Sequence, residues 1–202
     1  RCGCEDAAIR HLAPATAWPE EVPELEEEAM TIQPALPVHG ELFALLSKSV
    51  AYRPGLADGA EGYLVFQGSP AEYAAKLALC PDSVIAFDEE QQPAGFLLAA
   101  RGPVLAALHA EPLSHMLRHP ADGYLLIDQI AVAPHARARG LAQQLLDAAL
   151  RSACPRTAGA SIMHGPVRNL RSLRFFTEKN GFRLSHSYRE KDFEWGHYER
   201  DY

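Results

Sequence analysis

A mixed α/β fold is predicted by the order of strands and helices along the chain. Two short apolar segments, residues 83–88 and 95–101, flank a polar turn and indicate a hairpin. Farther along, a strand over Tyr124–Val132 precedes an amphipathic helix, and a strand over residues 160–164 precedes a helix that begins at Asn169. Because an early hairpin is followed by alternating strands and helices, we expect one mixed sheet in a chain of 202 residues.

The first 29 residues are predicted to be an acidic tail, and the folded domain is placed at residues 30–202. The tail, residues 1–29, is rich in Ala, Pro and Glu and shows no sustained hydrophobic period. It carries eight acidic residues against two arginines, which is −6 of the net charge of −7. Such a segment buries too little apolar surface to offset the entropy lost on ordering. Cys2, Cys4 and His11 are too few for a four-ligand zinc site, so no metal is expected.

Composition argues against several classes of protein. Beyond the tail the chain is nearly neutral, so it lacks the basic field of a nucleic-acid-binding domain. Its apolar runs are too short to span a bilayer and no signal peptide is recognised, so we expect no membrane association. The four cysteines are irregularly spaced, which is typical of reduced thiols and predicts a cytoplasmic protein.

The first elements of the domain are a short strand over residues 30–33 and a helix over Gly40–Ser49. Residues 52–68 are glycine-rich and irregular, and we expect them to form a loop that borders a binding site. The dipeptide Ser69-Pro70 is a typical N-cap and first turn, and it predicts a helix to about residue 80. The early hairpin follows this helix.

The middle of the domain begins with residues 103–118, which are predicted to be a helical or loop excursion. The helix after Gly140 has one apolar face, and residues 155–159 are expected to end it. The apolar face consists of Leu141, Leu145, Leu146, Ala149 and Leu150.

The end of the chain is predicted to contain a helix and a hairpin. Asn169 caps the helix, which runs to Lys179, and Asn180-Gly181 supplies a left-handed stop. Residues 182–188 and 193–202 then form the final hairpin.

Residues 130–142 have the features of a phosphate-binding site. An apolar strand stops at Pro134, and a short basic turn leads directly into a helix. The first N–H groups of a helix have no intrahelical partners and carry the positive end of its dipole, so they bind anions. Gly140 allows close approach of a ligand to the backbone, and Arg137 and Arg139 add donors suited to a pyrophosphate.

Two motifs together resemble the GNAT superfamily of acyl-CoA-dependent acyltransferases. Arg137-Ala-Arg-Gly-Leu-Ala142 matches the family pattern Gln/Arg-x-x-Gly-x-Gly/Ala after a strand. Asn169-Leu-Arg-Ser-Leu-Arg-Phe-Phe176, followed by Gly181-Phe182, is similar to the closing motif Asn-x-x-Ala-x-x-Phe-Tyr that ends in Gly-Phe. The resemblance covers residues 30–202. It implies a central, mixed but mostly antiparallel, twisted sheet flanked by helices.

The resemblance also implies how acetyl-CoA is held. Backbone groups of the strand would bind the pantetheine arm, and N–H groups of the basic turn would bind the pyrophosphate. Asn169 would contact the arm, and its helix would place Phe176 near the thioester. The residues implied to bind the cofactor are Ile130, Ala131, Val132, Arg137, Ala138, Arg139, Gly140, Leu141, Ala142, Asn169 and Phe176.

One departure from the family pattern concerns the general acid. The family usually has Tyr where this chain has Phe176, and a phenyl ring cannot protonate the leaving thiolate. Tyr188, Tyr198 or His164 would be a substitute. Alternatively the thiolate leaves unprotonated, since a thiol with a pKa of about 8.5 is a fair leaving group. The sequence does not select among these alternatives.

A general base is required because only a neutral amine attacks a thioester. Asp128 is the candidate catalytic residue, since it interrupts the apolar strand and by alternation shares a face with Ile130 and Val132. Gln129 is expected to point to the other face. The structural alternative is that Asp128 hydrogen-bonds a neighbouring strand or loop, or steers a cationic substrate.

The sequence predicts an N-acetyltransferase that moves an acetyl group from acetyl-CoA to a primary amine in a ternary complex. A small-molecule amine is favoured over a peptide amine, and a homodimer is compatible with the sequence. Cys80 and Cys154 have no basic neighbour and are not predicted nucleophiles, in agreement with direct transfer. Two alternatives remain: a non-catalytic acyl-CoA-binding or regulatory domain of the same fold, which Phe176 favours, and a different phosphate site such as a nucleotide site.

Overall fold

The computed structural model describes residues 30–53, 55, 59–108 and 122–202. The predicted tail, residues 1–29, lies outside the described residues, and so do residues 109–118 of the predicted excursion. Among the described helices, none is long and apolar enough to cross a membrane.

The described residues form seven strands and five helices. The strands are β1 (Thr31–Pro34), β2 (Val84–Phe87), β3 (Pro93–Arg101), β4 (Tyr124–Val132), β5 (Thr157–Gly165), β6 (Arg183–Glu190) and β7 (Phe193–Asp201). The helices are α1 (Gly40–Ser49), α2 (Pro70–Leu79), α3 (Gly102–Leu108), α4 (Leu141–Ala153) and α5 (Leu170–Arg174). Helix α5 continues as a π-helical turn over Phe175–Lys179, and 3-10 turns cover Pro37–His39 and Pro134–Ala136.

All seven strands belong to one sheet in the order β1-β2-β3-β4-β5-β7-β6. Neighbouring strands are antiparallel except for β4 and β5, which are parallel. The helix α4 connects this parallel pair, as a crossover between parallel strands requires. The predicted fold class, a mixed and mostly antiparallel sheet flanked by helices, is confirmed.

Helices pack on both faces of the sheet. On one face the ring of Phe96 in β3 stacks on Phe43 of α1, with 4.2 Å between ring centroids, and meets Tyr73 of α2 edge-on. The neighbouring Gly95 faces the other side and lies against Leu141 of α4. The core therefore lies in two layers, one on each side of the central strands.

The first two helices begin where the sequence predicts. Helix α1 covers the predicted range Gly40–Ser49. The N-cap of α2 is Ser69, whose Oγ accepts a hydrogen bond from the Glu72 N–H at 3.3 Å. The Glu72 carboxylate in turn accepts one from the Ser69 N–H at 2.7 Å. This capping box satisfies two donors that the helix cannot satisfy itself.

Strand β5 begins at Thr157, three residues earlier than predicted. Residues 155–159 were expected to separate helix and strand because they contain a glycine. Gly159 instead lies inside β5, where a Cβ atom would come within 1.8 Å of Tyr124 Oη. The glycine is required by this close approach and not by a turn. The helix ends before residue 155 as predicted, whereas the predicted start of the strand was three residues too late.

The helix predicted over residues 169–179 changes its winding partway. It is α-helical over Leu170–Arg174 and π-helical over Phe175–Lys179. The amide of Asn180 donates to the Phe175 carbonyl at 2.9 Å, which caps the wider turn. Gly181, with φ of +70°, then provides the predicted left-handed stop.

Candidate active site

The parallel strands β4 and β5 separate partway along the sheet. They pair from Tyr124 opposite Thr157 to Ile127 opposite Ala160. Beyond these residues the described part of the chain shows no pairing between them, while β4 continues beside β3 and β5 continues beside β7. A groove therefore opens between the second halves of the two strands.

Two adjacent cavities occupy this groove. The strand cavity, of about 510 Å³, lies between β4 and β5, and Asp128 and Tyr188 are among the residues that line it. The turn cavity, of about 320 Å³, is bounded by the turn at residues 137–140 and by the start of α4. Tyr63 and Ile130 line both cavities, so one elongated ligand can occupy the two together.

The backbone of β4 offers free polar groups to the groove. The Ala133 N–H donates to the Ala94 carbonyl of the neighbouring chain segment at 2.8 Å. Hydrogen-bonded pairs alternate in an antiparallel ladder, so Ala131 is also bonded to β3. The N–H and C=O groups of Ile130 and Val132 consequently point away from β3, toward β5 and the groove. They suit a ligand that carries amides.

The turn at residues 137–140 has a conformation suited to anions. Ala138 has φ of +66° and Gly140 has φ of +72°, both in the left-handed region. That region costs an alanine roughly 1–2 kcal/mol, so the surrounding structure must impose it. Left-handed residues in a turn make successive N–H groups converge on one point. The first N–H groups of α4, those of Leu141 and Ala142, add further donors that have no intrahelical acceptor.

Among the described residues, three cationic side chains line the turn cavity: Arg137, Arg171 and Lys179. Nη1 of Arg137 lies 3.3 Å from a carboxylate oxygen of Glu61, which is on the loop that faces the turn. Arg171 and Lys179 were not predicted as site residues. Arg139 is exposed and does not line either cavity, so its predicted contact with the cofactor stays a prediction.

A β-bulge places Asp128 at the strand cavity. Gln129 is opposite Leu98 on β3, whereas Ile127 is opposite Ala99, so Asp128 is the extra residue. A bulge breaks strict alternation of side chains, and Gln129 also lines the strand cavity instead of facing only the other side. The prediction that Asp128 borders the cleft agrees with this geometry.

Asp128 forms an ion pair with Lys76 of α2. Lys76 Nζ lies 3.2 Å from Asp128 Oδ2, and the two side chains are 27% and 14% exposed. Burial lowers the pKa of Lys76, but the Asp128 carboxylate offsets this effect and the net pKa is raised. Lys76 is therefore a cation that holds the carboxylate in place.

Phe176 and Asn169 both line the strand cavity. Phe176 is buried and packs edge-on against Phe182, with 5.1 Å between ring centroids. The Asn169 amide donates to the Tyr63 carbonyl at 2.9 Å, and its oxygen accepts from the Ser172 N–H at 3.1 Å. The side chain of Asn169 thus caps α5 and ties that helix to the loop before α2.

The structure distinguishes among the three candidate proton donors. Tyr188 lines the strand cavity. Burial raises its pKa to about 12, against the smaller opposing effect of a hydrogen bond with Ser161, so it remains a protonated phenol. Tyr198 Oη and His164 Nε2 lie 2.9 Å apart, and neither residue lines the two cavities.

A buried histidine lies behind the strand cavity. Nδ1 of His197 is 3.0 Å from Ser161 Oγ, and its Nε2 is 2.8 Å from Tyr124 Oη. Burial lowers the pKa of His197 to about 4, although the nearby Glu199 carboxylate opposes the shift. His197 is therefore neutral at pH 7 and joins three strands through hydrogen bonds.

The described residues offer little support for a cysteine nucleophile or a metal site. Cys80 is fully buried, and burial raises the pKa of its thiol to about 12, so it is no nucleophile at neutral pH. Within the same residues, no group of three or more His, Cys, Asp or Glu side chains is arranged to hold a metal ion.

A model of the acetyltransferase (GNAT) family matches residues 57–182, which is more than half of the chain. The chain belongs to the GNAT family. By family it is an acyltransferase. No curated protein sequence matches the chain.

Solved structures of GNAT proteins share the fold. Ard1 from Thermoplasma volcanium is 16% identical, with a TM-score of 0.61 over 86% of this chain and 97% of that chain. The diaminobutyrate acetyltransferase EctA from Paenibacillus lautus, in complex with L-2,4-diaminobutyric acid and coenzyme A, is 18% identical, with a TM-score of 0.57 over 85% and 95%. A chain of the NatC complex bound to Gag peptide and CoA is 16% identical, with a TM-score of 0.56 over 86% and 98%.

The groove of this GNAT protein brings together most residues that the sequence assigned to the cofactor. Asn169 and Phe176 line the strand cavity, beside the candidate base Asp128. The others line the turn cavity: Ile130, Ala131, Val132, Arg137, Ala138, Gly140, Leu141 and Ala142.

Proposed function

We propose that this protein transfers an acetyl group from acetyl-CoA to a primary amine, directly and within one ternary complex. The observation that carries the proposal is the groove between β4 and β5, which joins an anion-binding turn to a cavity that contains Asp128. Acetyl-CoA carries a pyrophosphate, an amide-bearing arm and a thioester in that order. The same order is offered by the turn, the free backbone groups of β4 and the strand cavity.

The residues of the turn cavity fit the phosphate end of acetyl-CoA. The N–H groups at residues 138–140 would hold the pyrophosphate, with Arg137, Arg171 and Lys179 supplying positive charge. The outward-facing backbone groups of Ile130 and Val132 would bind the amides of the arm. When bound, acetyl-CoA supplies the activated acyl carbon and a thiol leaving group.

Asp128 is proposed as the proton acceptor. A primary amine becomes strongly acidic as its nitrogen bonds to carbon, so a nearby carboxylate can take the proton at that stage. The ion pair with Lys76 holds the Asp128 carboxylate in a fixed orientation before the amine arrives. The carboxylate also attracts the ammonium form of the substrate to the strand cavity. That ammonium passes one proton to solvent to give the neutral amine that attacks, and Asp128 accepts the second proton as the N–C bond forms.

Tyr188 is proposed as the proton donor to the departing thiolate. It is the one candidate among Tyr188, Tyr198 and His164 that lines the strand cavity. Its phenol is protonated at neutral pH because its pKa is raised to about 12. This arrangement offers a replacement for the hydroxyl that Phe176 lacks.

We further propose a small-molecule amine as acceptor and a cytoplasmic location. The strand cavity has the volume of a typical small-molecule site, roughly 300–1,000 Å³. Cys80 and Cys154, the cysteines of the described residues, are free thiols, in keeping with a reducing compartment.

Two measurements on the purified chain test the proposal against the non-catalytic alternative that Phe176 favours. Calorimetry with acetyl-CoA measures binding, and a thiol reagent measures CoA release with a panel of primary amines. The proposal predicts binding together with amine-dependent thiol release. Binding without thiol release for every amine would identify an acyl-CoA-binding module instead.

A further inference from the structure

Three aromatic rings form a row along the strand cavity. The rings of Phe66 and Trp195 stack with 5.8 Å between centroids and 16° between planes. On the other side, the rings of Trp195 and Tyr188 stack at 6.3 Å and 14°. All three residues line the strand cavity, although they come from the loop before α2, from β7 and from β6. We call these three rings the aromatic row.

The aromatic row lies outside the main hydrophobic core. Trp195 belongs to a separate buried cluster with Tyr63 and Met163, both of which also line the strand cavity. Trp195 is only 7% exposed, whereas the large apolar side chain of Phe66 is 49% exposed. The row therefore ends in a ring that a ligand can cover, and covering it removes apolar surface from water.

The position of Phe66 is fixed relative to the candidate base. The Gln129 amide donates to the Phe66 carbonyl at 3.2 Å, and its oxygen accepts from Tyr73 Oη at 2.8 Å. Gln129 directly follows Asp128 in β4. The loop residue that carries the end of the row is thus tied to the strand that carries the carboxylate.

The charges around the strand cavity suit an acceptor with a single cationic group. Among the residues that the structure describes, Asp128 and Glu190 are the carboxylates that line it, and Asp128 already pairs with Lys76. Lys191, the other cation of the cavity, is exposed at the turn between β6 and β7.

We propose that the acceptor is a primary monoamine with an aromatic or similarly sized apolar group, such as an arylalkylamine. The amine nitrogen meets Asp128, and the apolar group packs against the aromatic row. Flat rings pack well on stacked aromatic side chains, and the amine's charge is attracted to ring faces as well as to carboxylates. This inference rests on the proposed acetyl transfer and names its substrate class.

The test compares kcat/KM for 2-phenylethylamine, ethylamine, spermidine and a short peptide with a free N-terminus. We expect kcat/KM for 2-phenylethylamine to exceed that for each of the others by at least about tenfold, because only its ring covers the row. The substitution Phe66→Ala should reduce the ratio of 2-phenylethylamine to ethylamine at least about fivefold, mainly through KM. Leu45→Ala, at an exposed leucine of α1 away from both cavities, is the matched control and should leave the ratio unchanged.

The outcomes separate this inference from the proposed function. Equal or faster acetylation of ethylamine, spermidine or the peptide would overturn the substrate class while leaving acetyl transfer intact. A ratio that Phe66→Ala does not change would overturn the role of the aromatic row. If no amine in the panel supports thiol release, the proposed function fails and this inference fails with it.

Discussion

The ammonium of Lys76 lies 3.2 Å from the carboxylate of Asp128 at the edge of the strand cavity. The two residues come from α2 and from the bulge in β4, so the pair joins a helix to the point where the sheet opens. The pair accounts for a charged residue within an otherwise apolar strand. It also gives Asp128 a fixed orientation toward the groove.

Replacing Asp128 with Asn should lower kcat/KM for the amine by about 100-fold or more, the usual contribution of a general base. The amide keeps the size of the side chain but cannot accept the proton, so binding of acetyl-CoA should not change. Steady-state kinetics and calorimetry measure the two effects. A variant with full activity across the pH range would show that Asp128 only pairs with Lys76.

Arg137 and Arg139 form a matched pair for testing the phosphate site. Arg137→Ala should raise KM for acetyl-CoA about tenfold, because it removes a charged donor that lines the turn cavity. Arg139→Ala should have little effect, since that side chain lies outside both cavities. Acetyl-pantetheine, which lacks the phosphates, should react equally well with both variants. An equal loss for Arg139→Ala would restore the role predicted from its sequence position.

Tyr188→Phe should reduce kcat about 10- to 100-fold without changing KM for acetyl-CoA, because it removes the proton donor but keeps the ring. Tyr198→Phe is the control, as that hydroxyl bonds to His164 away from the cavities. Since the pKa of Tyr188 is about 12, its deprotonation should cause no loss of activity up to about pH 10. An unaltered kcat in Tyr188→Phe would mean that the thiolate leaves unprotonated.

The lowered pKa of His197 predicts how the free energy of unfolding depends on pH. Its pKa is lowered from 6.5 to about 4 by burial, so between these values the unfolded chain binds a proton that the folded chain does not. The free energy of unfolding should therefore fall as pH decreases through this window, by on the order of 3 kcal/mol from this residue. Denaturant unfolding at several pH values should show a smaller decrease for His197→Gln. Leu45→Ala, which changes an exposed side chain that does not titrate, should keep the wild-type dependence.

The sequence predicted the elements whose signals are local. The Ser69 cap, the range of α1 and the stop at Gly181 depend on a few adjacent residues, and all were found as expected. Gly159 was misread because its role depends on Tyr124, which is distant in sequence but adjacent in the sheet. Rules that predict turns from adjacent residues do not distinguish a glycine that makes a turn from one that leaves room for a neighbouring side chain.

The residues of the site also divide into those predicted by local signals and those that depend on contacts between distant segments. The basic turn is a continuous motif, so the residues that line the turn cavity were largely predictable from it. Arg171 and Lys179 are spaced by eight residues, with Phe175 between them, and the helical period over the predicted helix at residues 169–179 would have placed the three on one face. The partner of Asp128 was not predictable, because Lys76 reaches it only through the packing of α2 on the sheet.

Direct acetyl transfer is tested most directly by mixing the enzyme and acetyl-CoA, in a single turnover, with whichever amine of the panel has the highest kcat/KM. Mass spectrometry of the products and a thiol reagent then follow the acetyl group and CoA. We predict one acetylated amine for each CoA released, with no acetyl group on the protein when the amine is left out. Acetyl-CoA that binds but releases no thiol, or an acetyl group that stays on the protein, would contradict the account.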